Sequence, residues 1–423
     1  MIMIKKLSNT YAKRIILGIL LIVSFACNEF EDIPKIYDPD NKDAVKDPVI
    51  RAVEPADSII AGIRTVIIDG ENFSINPDSV AVYFDNYRSV ISSFGPNQII
   101  VHRPAIAGDL ITLKVMIYGA LGIARYPDLY IQEAWTNYAD FTSVNNLLYT
   151  IDMDKDENMY VAIRRAIYKV NPFGEIETSW STNQDRPYDI KAGPDNYLYF
   201  VANRRDLYRL STVTGAQETF AALGQTAIVL DFDQNLNIYT GKRDIIVLVK
   251  PDRSVREVGA SYNDYDFIDF KVYNGYLYVA ASYGGRDAAV PDMGVWKSAI
   301  DNETGDLAGN ELVVDWANSE YGQQIGTVTP TISSMAISED GDILLSSNDH
   351  PQYSLFIYDE TQSLLPFYGD TTIMKDVPKA DEIVWGSSKS LYINRSNSMT
   401  AGKDSTILKL GIGENGADYY GRQ

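Results

Sequence analysis

An all-β fold, a small sandwich followed by a six-bladed β-propeller, is what this 423-residue sequence predicts. Two observations carry the expectation. Four stretches of one make-up, "ENMYVAIRRAIYKV", "DNYLYFVANRRDLYRL", "QNLNIYTGKRDIIVLV" and "NGYLYVAASYGGRD", set Tyr160, Tyr199, Tyr239 and Tyr278 at intervals of 39, 40 and 39 residues. Several short strands in a unit of about 40 residues mean a propeller rather than a helical array. Ahead of them, residues 48–132 place short β-branched runs between Pro, Gly and Asn, the spacing of a small all-β sandwich.

The chain starts with material outside the fold. Residues 1–26 read as a leader: Lys5, Lys6, Lys13 and Arg14 precede "IILGILLIVSFA", an apolar run too short to span a bilayer, which needs about 20 residues. The run ends at Cys27, the one cysteine in the sequence, which rules out an intrachain disulfide. Ala26 before Cys27 resembles a bacterial lipoprotein signal, in which the cysteine becomes the lipidated first residue; Ser24 and Phe25 depart from the usual pattern. A plain secretory peptide with an incidental cysteine is the alternative. Residues 27–47, acidic and without periodicity, read as a tether. Its acidic residues resemble the surface-export signal of glycan-degrading Gram-negative bacteria. The chain carries 57 acidic and 37 basic residues, a net charge of −20 that becomes −24 once the four leader cations are removed. That charge argues against sequence-independent binding of nucleic acid or of anionic lipid.

In residues 48–132, Ile50, Val53 and Pro55, the run from Gly62 to Phe73, Val82 with Phe84, and "IIVHRP" (Ile99 to Pro104) resemble an immunoglobulin-like IPT/TIG domain. The resemblance implies an immunoglobulin-like β-sandwich that acts as a spacer or interaction module and carries no catalysis.

Residues 133–423 hold the repeat. In each unit a polar turn separates an apolar strand ("LLYTIDM", "PYDIKAG", "AIVLDFD", "FIDFKVY") from the tyrosine-bearing one, and two further units fit at Leu344 and Tyr392. The stretch "DMDKDENMYVAI" suggests a calcium loop through Asp152, Asp154 and Asp156. Glu157 stands where such a loop needs Gly, and Ile163 where it needs a bidentate Glu. It occupies the turn slot of the repeat, where Asp and Asn bond their own backbone. The repeat resembles an NHL-type six-bladed propeller. The order of anchor, TIG domain and propeller is similar to lipoproteins found with outer-membrane glycan-uptake machinery.

That resemblance implies a lipid-anchored outer-membrane protein facing the cell exterior, with a glycan ligand and outer-membrane transporter components as partners. Two histidines, His102 and His350, fall in different domains and cannot build the multi-histidine site of a propeller metalloenzyme. No cofactor or metal is expected. The turns after the tyrosine-bearing strands carry Arg164, Arg165, Arg204, Arg205, Lys242, Arg243 and Arg286. Two readings are open: a basic arc on one face near the channel, or ion pairs with the neighbouring Asp206, Asp244 and Asp287. The same turn lengthens in the last three blades, offering Tyr283, Arg286, Trp296, Asp349, His350, Tyr353, Arg395 and Asn397. Long loops on a rigid scaffold are where binding sites concentrate, and aromatic rings beside amides and charges suit sugar hydroxyls and sugar ring faces. Trp296 could equally pack between blades, and His350 could cap a turn. The expectation is therefore a surface protein that binds a glycan through the propeller loop face without cleaving it. A polysaccharide lyase or hydrolase, and a protein-interaction scaffold, stay as alternatives.

Overall fold

The computed structural model describes residues 45–422, except 57–58, 63–64, 105, 142–146, 360, 368–379, 387 and 396–405. Cys27 and Asn397 lie outside the described residues. Two compact units make up the chain. In the first domain, Val49–Glu54, Thr65–Glu71, Gln98–His102 and Ile91–Phe94 form one sheet. Ile59–Ile60, Ala124–Gln132, Gly108–Ile117, Val80–Phe84 and Tyr87–Arg88 form the other. Strict alternation buries Val80, Val82 and Phe84 while Ala81 and Tyr83 stay half-exposed, because successive side chains leave a strand on opposite faces. Gly70 is required where it stands: a Cβ there would collide with the Val49 carbonyl and the Phe73 ring.

The remaining strands form six four-stranded antiparallel sheets among the described residues. Their innermost strands are Thr150–Met153, Asp189–Gly193, Val229–Phe232, Tyr265–Tyr273, Ser334–Ile337 and Glu382–Trp385. Each touches the next, and the last touches the first, so the sheets close a ring as the blades of a propeller. Tyr160, Tyr199, Tyr239, Tyr278, Leu344 and Tyr392 all fall in the second strand of their blade, in agreement with the repeat. The acidic stretch is the turn the repeat implies. Asp154 Oδ1 accepts the amides of Asp156 and Asn158, and its Oδ2 accepts the Tyr160 hydroxyl at 3.0 Å. Blade three repeats the device with Asp233, Asn235 and Asn237. These carboxylates are spent on their own turns.

One strand had no place in the repeat as read from sequence. Trp135–Asp140 pairs antiparallel with Thr406–Gly411 and supplies the outer edge of blade six. Joining the two ends of the propeller in one sheet ties the ring shut by main-chain hydrogen bonds, and closure removes exposed sheet edges.

Candidate functional site

Two polar regions of the propeller deserve comparison: the channel and a pocket on blade four. The inner strands alternate, so every second residue faces the axis. In the first channel-facing layer lie Thr150, Asp189, Val229, Asp269, Ser334 and Glu382; two residues further along lie Asp152, Lys191, Asp231, Lys271, Ala336 and Val384.

These side chains link each blade to the next. Asp152 accepts the amide of Ala192 at 2.6 Å, Asp189 that of Leu230 at 2.7 Å, and Asp231 that of Val272 at 2.6 Å. Asp269 accepts the amide of Met335 and the hydroxyl of Ser334, both at 2.8 Å. Ser334 Oγ accepts from Ile383 at 3.3 Å, and Glu382 completes the circuit by accepting from Ile151 at 2.8 Å and from the Thr150 hydroxyl at 2.7 Å. Buried charge needs both hydrogen bonds and counter-charge. Lys191 sits 3.1 Å from Asp189, and Lys271 lies 2.6 Å from Asp269.

Burial still dominates several of these groups. It pushes Asp231 up to about 7 and Asp189 up to about 6, against the pull of the lysines. Glu382 is pushed up to about 8 by the same cause. For Asp269, burial acts upward, but Lys271 and Lys191 outweigh it and hold the carboxyl below its usual range.

At the end of the channel where the inner strands finish, residues 415–422 fill the opening. Gly416 bridges to Ser338, Arg422 donates to the Trp385 carbonyl at 2.7 Å, and its guanidinium lies 3.6 Å from Asp152. Tyr419 packs edge-on to Phe232. Gly421 passes where a Cβ would press on the Ala192 carbonyl and the Phe232 ring. The space left, about 50 Å³, is bordered by Asp152, Lys191, Asp231 and Lys271 together with Tyr419 and Arg422. That holds a few waters, not a sugar.

The blade-four pocket is larger and differently lined. Its volume of about 370 Å³ lies within the range of ligand sites. Tyr265, at the start of the inner strand, faces Tyr283, at the end of the second, as a cross-strand pair with ring centroids 5.0 Å apart. Trp296 meets Tyr265 edge-on at 4.9 Å and, only 2% exposed, forms the floor. Ser261, Asn263 and Asn310 give the lining its polar groups, and Val290, Pro291 and Leu312 its aliphatic ones. The blade-four insertion that carries Val290 and Pro291 is fixed by its own bonds: Gly284 donates to the Asp264 carbonyl, and Asp287 accepts the Ala289 amide. At Gly285 the loop crosses the hydroxyl end of Tyr283, leaving no room for a Cβ.

Of the residues singled out from sequence, Tyr283 and Trp296 come together in this pocket, and Arg286 stands exposed on the loop beside it. Trp296 also packs into the blade core, as its alternative reading held. Asp349, His350 and Tyr353 are on blade five. Asp349 accepts from the amide and hydroxyl of Thr331, each at 2.8 Å. His350 Nδ1 accepts the Tyr353 amide at 2.9 Å, so the ring does cap its turn, among Tyr321, Tyr353 and Phe356. Burial lowers its pKa against the field of Asp349. Arg395 is buried at the end of a blade-six strand.

Arg164 and Arg243 do lie in the turns after second strands, but Arg205 does not: it is already in the third strand, Arg204–Ser211, because the second strand of its blade ends at Val201. The ion pairs here are not those with the adjacent aspartates. Arg164 bonds Asp185 at 2.8 Å and Arg243 bonds Asp266 through two nitrogens, in each case on the segment entering the next blade. Asp206 instead accepts the Tyr208 hydroxyl, and Asp244 accepts the Asp264 amide. Tyr265, Ser261, Asn263 and Asn310 were missed, and the signal available was the blade-four insertion itself, which had to cover something.

Residues 48–130 match the IPT/TIG domain, which identifies the first domain. The chain is similar in structure to an auxiliary nutrient binding protein from Bacteroides ovatus ATCC 8483, at 14% identity and a TM-score of 0.50, over 86% of this chain and 97% of that one. An auxiliary nutrient binding protein from Bacteroides thetaiotaomicron VPI-5482 aligns at 12% identity and a TM-score of 0.49, over 89% and 99%. At such identities the likeness is one of fold. No curated protein matches the chain. Among the described residues, no helix is long and apolar enough to cross a membrane.

Proposed function

We propose that this protein is a lipid-anchored receptor of the outer membrane whose propeller captures a glycan for uptake, with the blade-four pocket as its binding site. The observation that carries the reading is the pocket: aromatic rings, amide side chains and aliphatic side chains line one volume of about 370 Å³. A sugar ring has an apolar face and a hydroxyl edge, and a site that combines aromatic and aliphatic surface with amide and hydroxyl groups complements it. The structural neighbour from Bacteroides ovatus is called an auxiliary nutrient binding protein, which agrees with this reading.

Binding without cleavage is favoured over glycoside hydrolysis because no carboxylate lines the pocket, whereas hydrolysis calls for a pair flanking the scissile bond. The channel carboxylates accept main-chain amides and leave room for a few waters only. Residues 1–26 as leader, 27–47 as tether, 133–423 as the propeller domain, lipidation at Cys27 and delivery to outer-membrane transporter components belong to the same proposal.

A glycan array with the full-length protein tests it, followed by chromatography of any bound glycan after long incubation. Retention of at least one glycan, recovered intact, is the expected result. Shortened or unsaturated products would transfer the reading to a hydrolase or lyase. For the anchor, Cys27→Ala should release the protein from the membrane fraction; unchanged fractionation, with no acyl mass on the wild type, would contradict it.

A further inference from the structure

We infer that the glycan residue seated in the blade-four pocket is an uncharged sugar, bound as a single terminal or branch unit; this rests on the glycan reading of that pocket. Charged residues make up 22% of the sequence, yet none lines the pocket. The nearest ones along the chain are mostly acidic. Asp264 lies between Asn263 and Tyr265, Asp292 follows Pro291, and Asp287 holds the loop by accepting the Ala289 amide at 3.0 Å. Arg286 is the one cation of the insertion. A carboxylated sugar would enter a predominantly negative surrounding and be desolvated without a counter-ion, which is costly.

The polar groups present match hydroxyls instead. Asn310 Nδ2 donates to the Ser261 carbonyl at 2.9 Å and to the Tyr265 hydroxyl oxygen at 3.4 Å, so Tyr265 keeps its own hydrogen to give. Burial raises the Tyr265 pKa, and the nearby Asp287 adds to that, so the phenol stays protonated. The Tyr283 hydroxyl has no partner among the described residues, and Asn310 Oδ1 is a buried acceptor without one. A hydroxyl, being donor and acceptor at once, can answer both kinds of group; a carboxylate can only accept. The volume stands near the lower end of the ligand-site range of about 300–1,000 Å³, which suits a single sugar unit rather than a length of chain.

The test is calorimetric titration of the full-length protein with galacturonan oligosaccharides, free and fully methyl-esterified, and with neutral gluco-, manno- and xylo-oligosaccharides. Expected is binding to a neutral probe that changes less than about twofold between about 0.05 and 0.5 M salt. Tyr283→Ala should weaken it roughly tenfold or more. Asn263→Ala, an exposed change with little reach into the fold, should weaken it several-fold, and Arg286→Ala by less than about twofold. Tighter binding of the free acid, lost with salt and in Arg286→Ala, would overturn this inference and leave the glycan reading standing. Neutral binding untouched by Tyr283→Ala and Asn263→Ala would overturn it too, by moving the site. Failure to bind any probe would overturn the glycan reading and this inference together.

Discussion

The channel and the blade-four pocket both collect polar side chains on one propeller, and the difference lies in what those side chains already touch. In the channel Asp152, Asp189, Asp231, Asp269 and Glu382 each accept an amide from the following inner strand. In the pocket the hydroxyl of Tyr283 has no protein partner among the described residues, and Tyr265 accepts but does not give. Polar groups committed to main-chain amides hold blades together. Polar groups left uncommitted beside aromatic rings are available to a ligand. The lesson extends to the arginine turns, where Arg164 and Arg243 are already paired.

The comparison breaks most visibly if a channel carboxylate proves dispensable. Asp269→Ala would leave the Met335 amide unpaired and strip the half-buried Lys271 ammonium of its carboxylate, and should cost about 3–5 kcal/mol in chemical denaturation. A change below about 1 kcal/mol would show that the blade-to-blade bonds do not govern stability. The pH dependence comes next. Glu382, Asp231 and Asp189 bind protons more tightly folded than unfolded, at about 8, 7 and 6. Their shared contribution is thus complete below the unfolded carboxyl values near 4 and is lost as pH rises towards 8. Stability should fall from pH 5 to 8, and Glu382→Gln should flatten that slope; Asp269, shifted the other way, acts at lower pH. A wild-type slope of opposite sign would refute this. Smaller again is Gly285→Ala, which should displace the Tyr283 ring and weaken sugar binding several-fold, with a smaller loss of melting temperature than Asp269→Ala gives. Smallest is Arg243→Ala: its ion pair with Asp266 is exposed, so neither melting nor neutral-sugar affinity should change measurably.

The blade count and strand register were legible because the tyrosines sit in one register, at 39, 40 and 39 residues, and turn chemistry recurs around them. The sandwich was legible through its punctuation. Closure by Trp135–Asp140 was not, since a strand that pairs with Thr406–Gly411 across most of the propeller leaves no local mark. The channel ring left a mark that is visible afterwards: "TIDM", "DIKAG" and "VLDF" each set a carboxylate, and "DIKAG" a lysine at the alternate position, in a short strand whose other residues are mostly apolar. Tyr283 and Trp296 were legible as aromatics beside an insertion. Ser261, Asn263, Tyr265 and Asn310 were not, because winding four strands into one blade brings together residues up to 49 positions apart, as with the bond from the Asn310 amide to the Ser261 carbonyl.

The division between a structural channel and a binding pocket is tested most directly by thermal melting, with and without a bound neutral oligosaccharide, of the wild type, Asp231→Ala and Tyr283→Ala. A ligand that binds only the folded state raises the melting temperature in proportion to its occupancy. The account predicts that Asp231→Ala melts lower than wild type but keeps the full ligand-induced rise, while Tyr283→Ala, whose own melting falls with the lost packing on Tyr265, loses most of that rise. The reverse pattern, a rise abolished by Asp231→Ala and retained by Tyr283→Ala, would place the ligand in the channel and contradict the account.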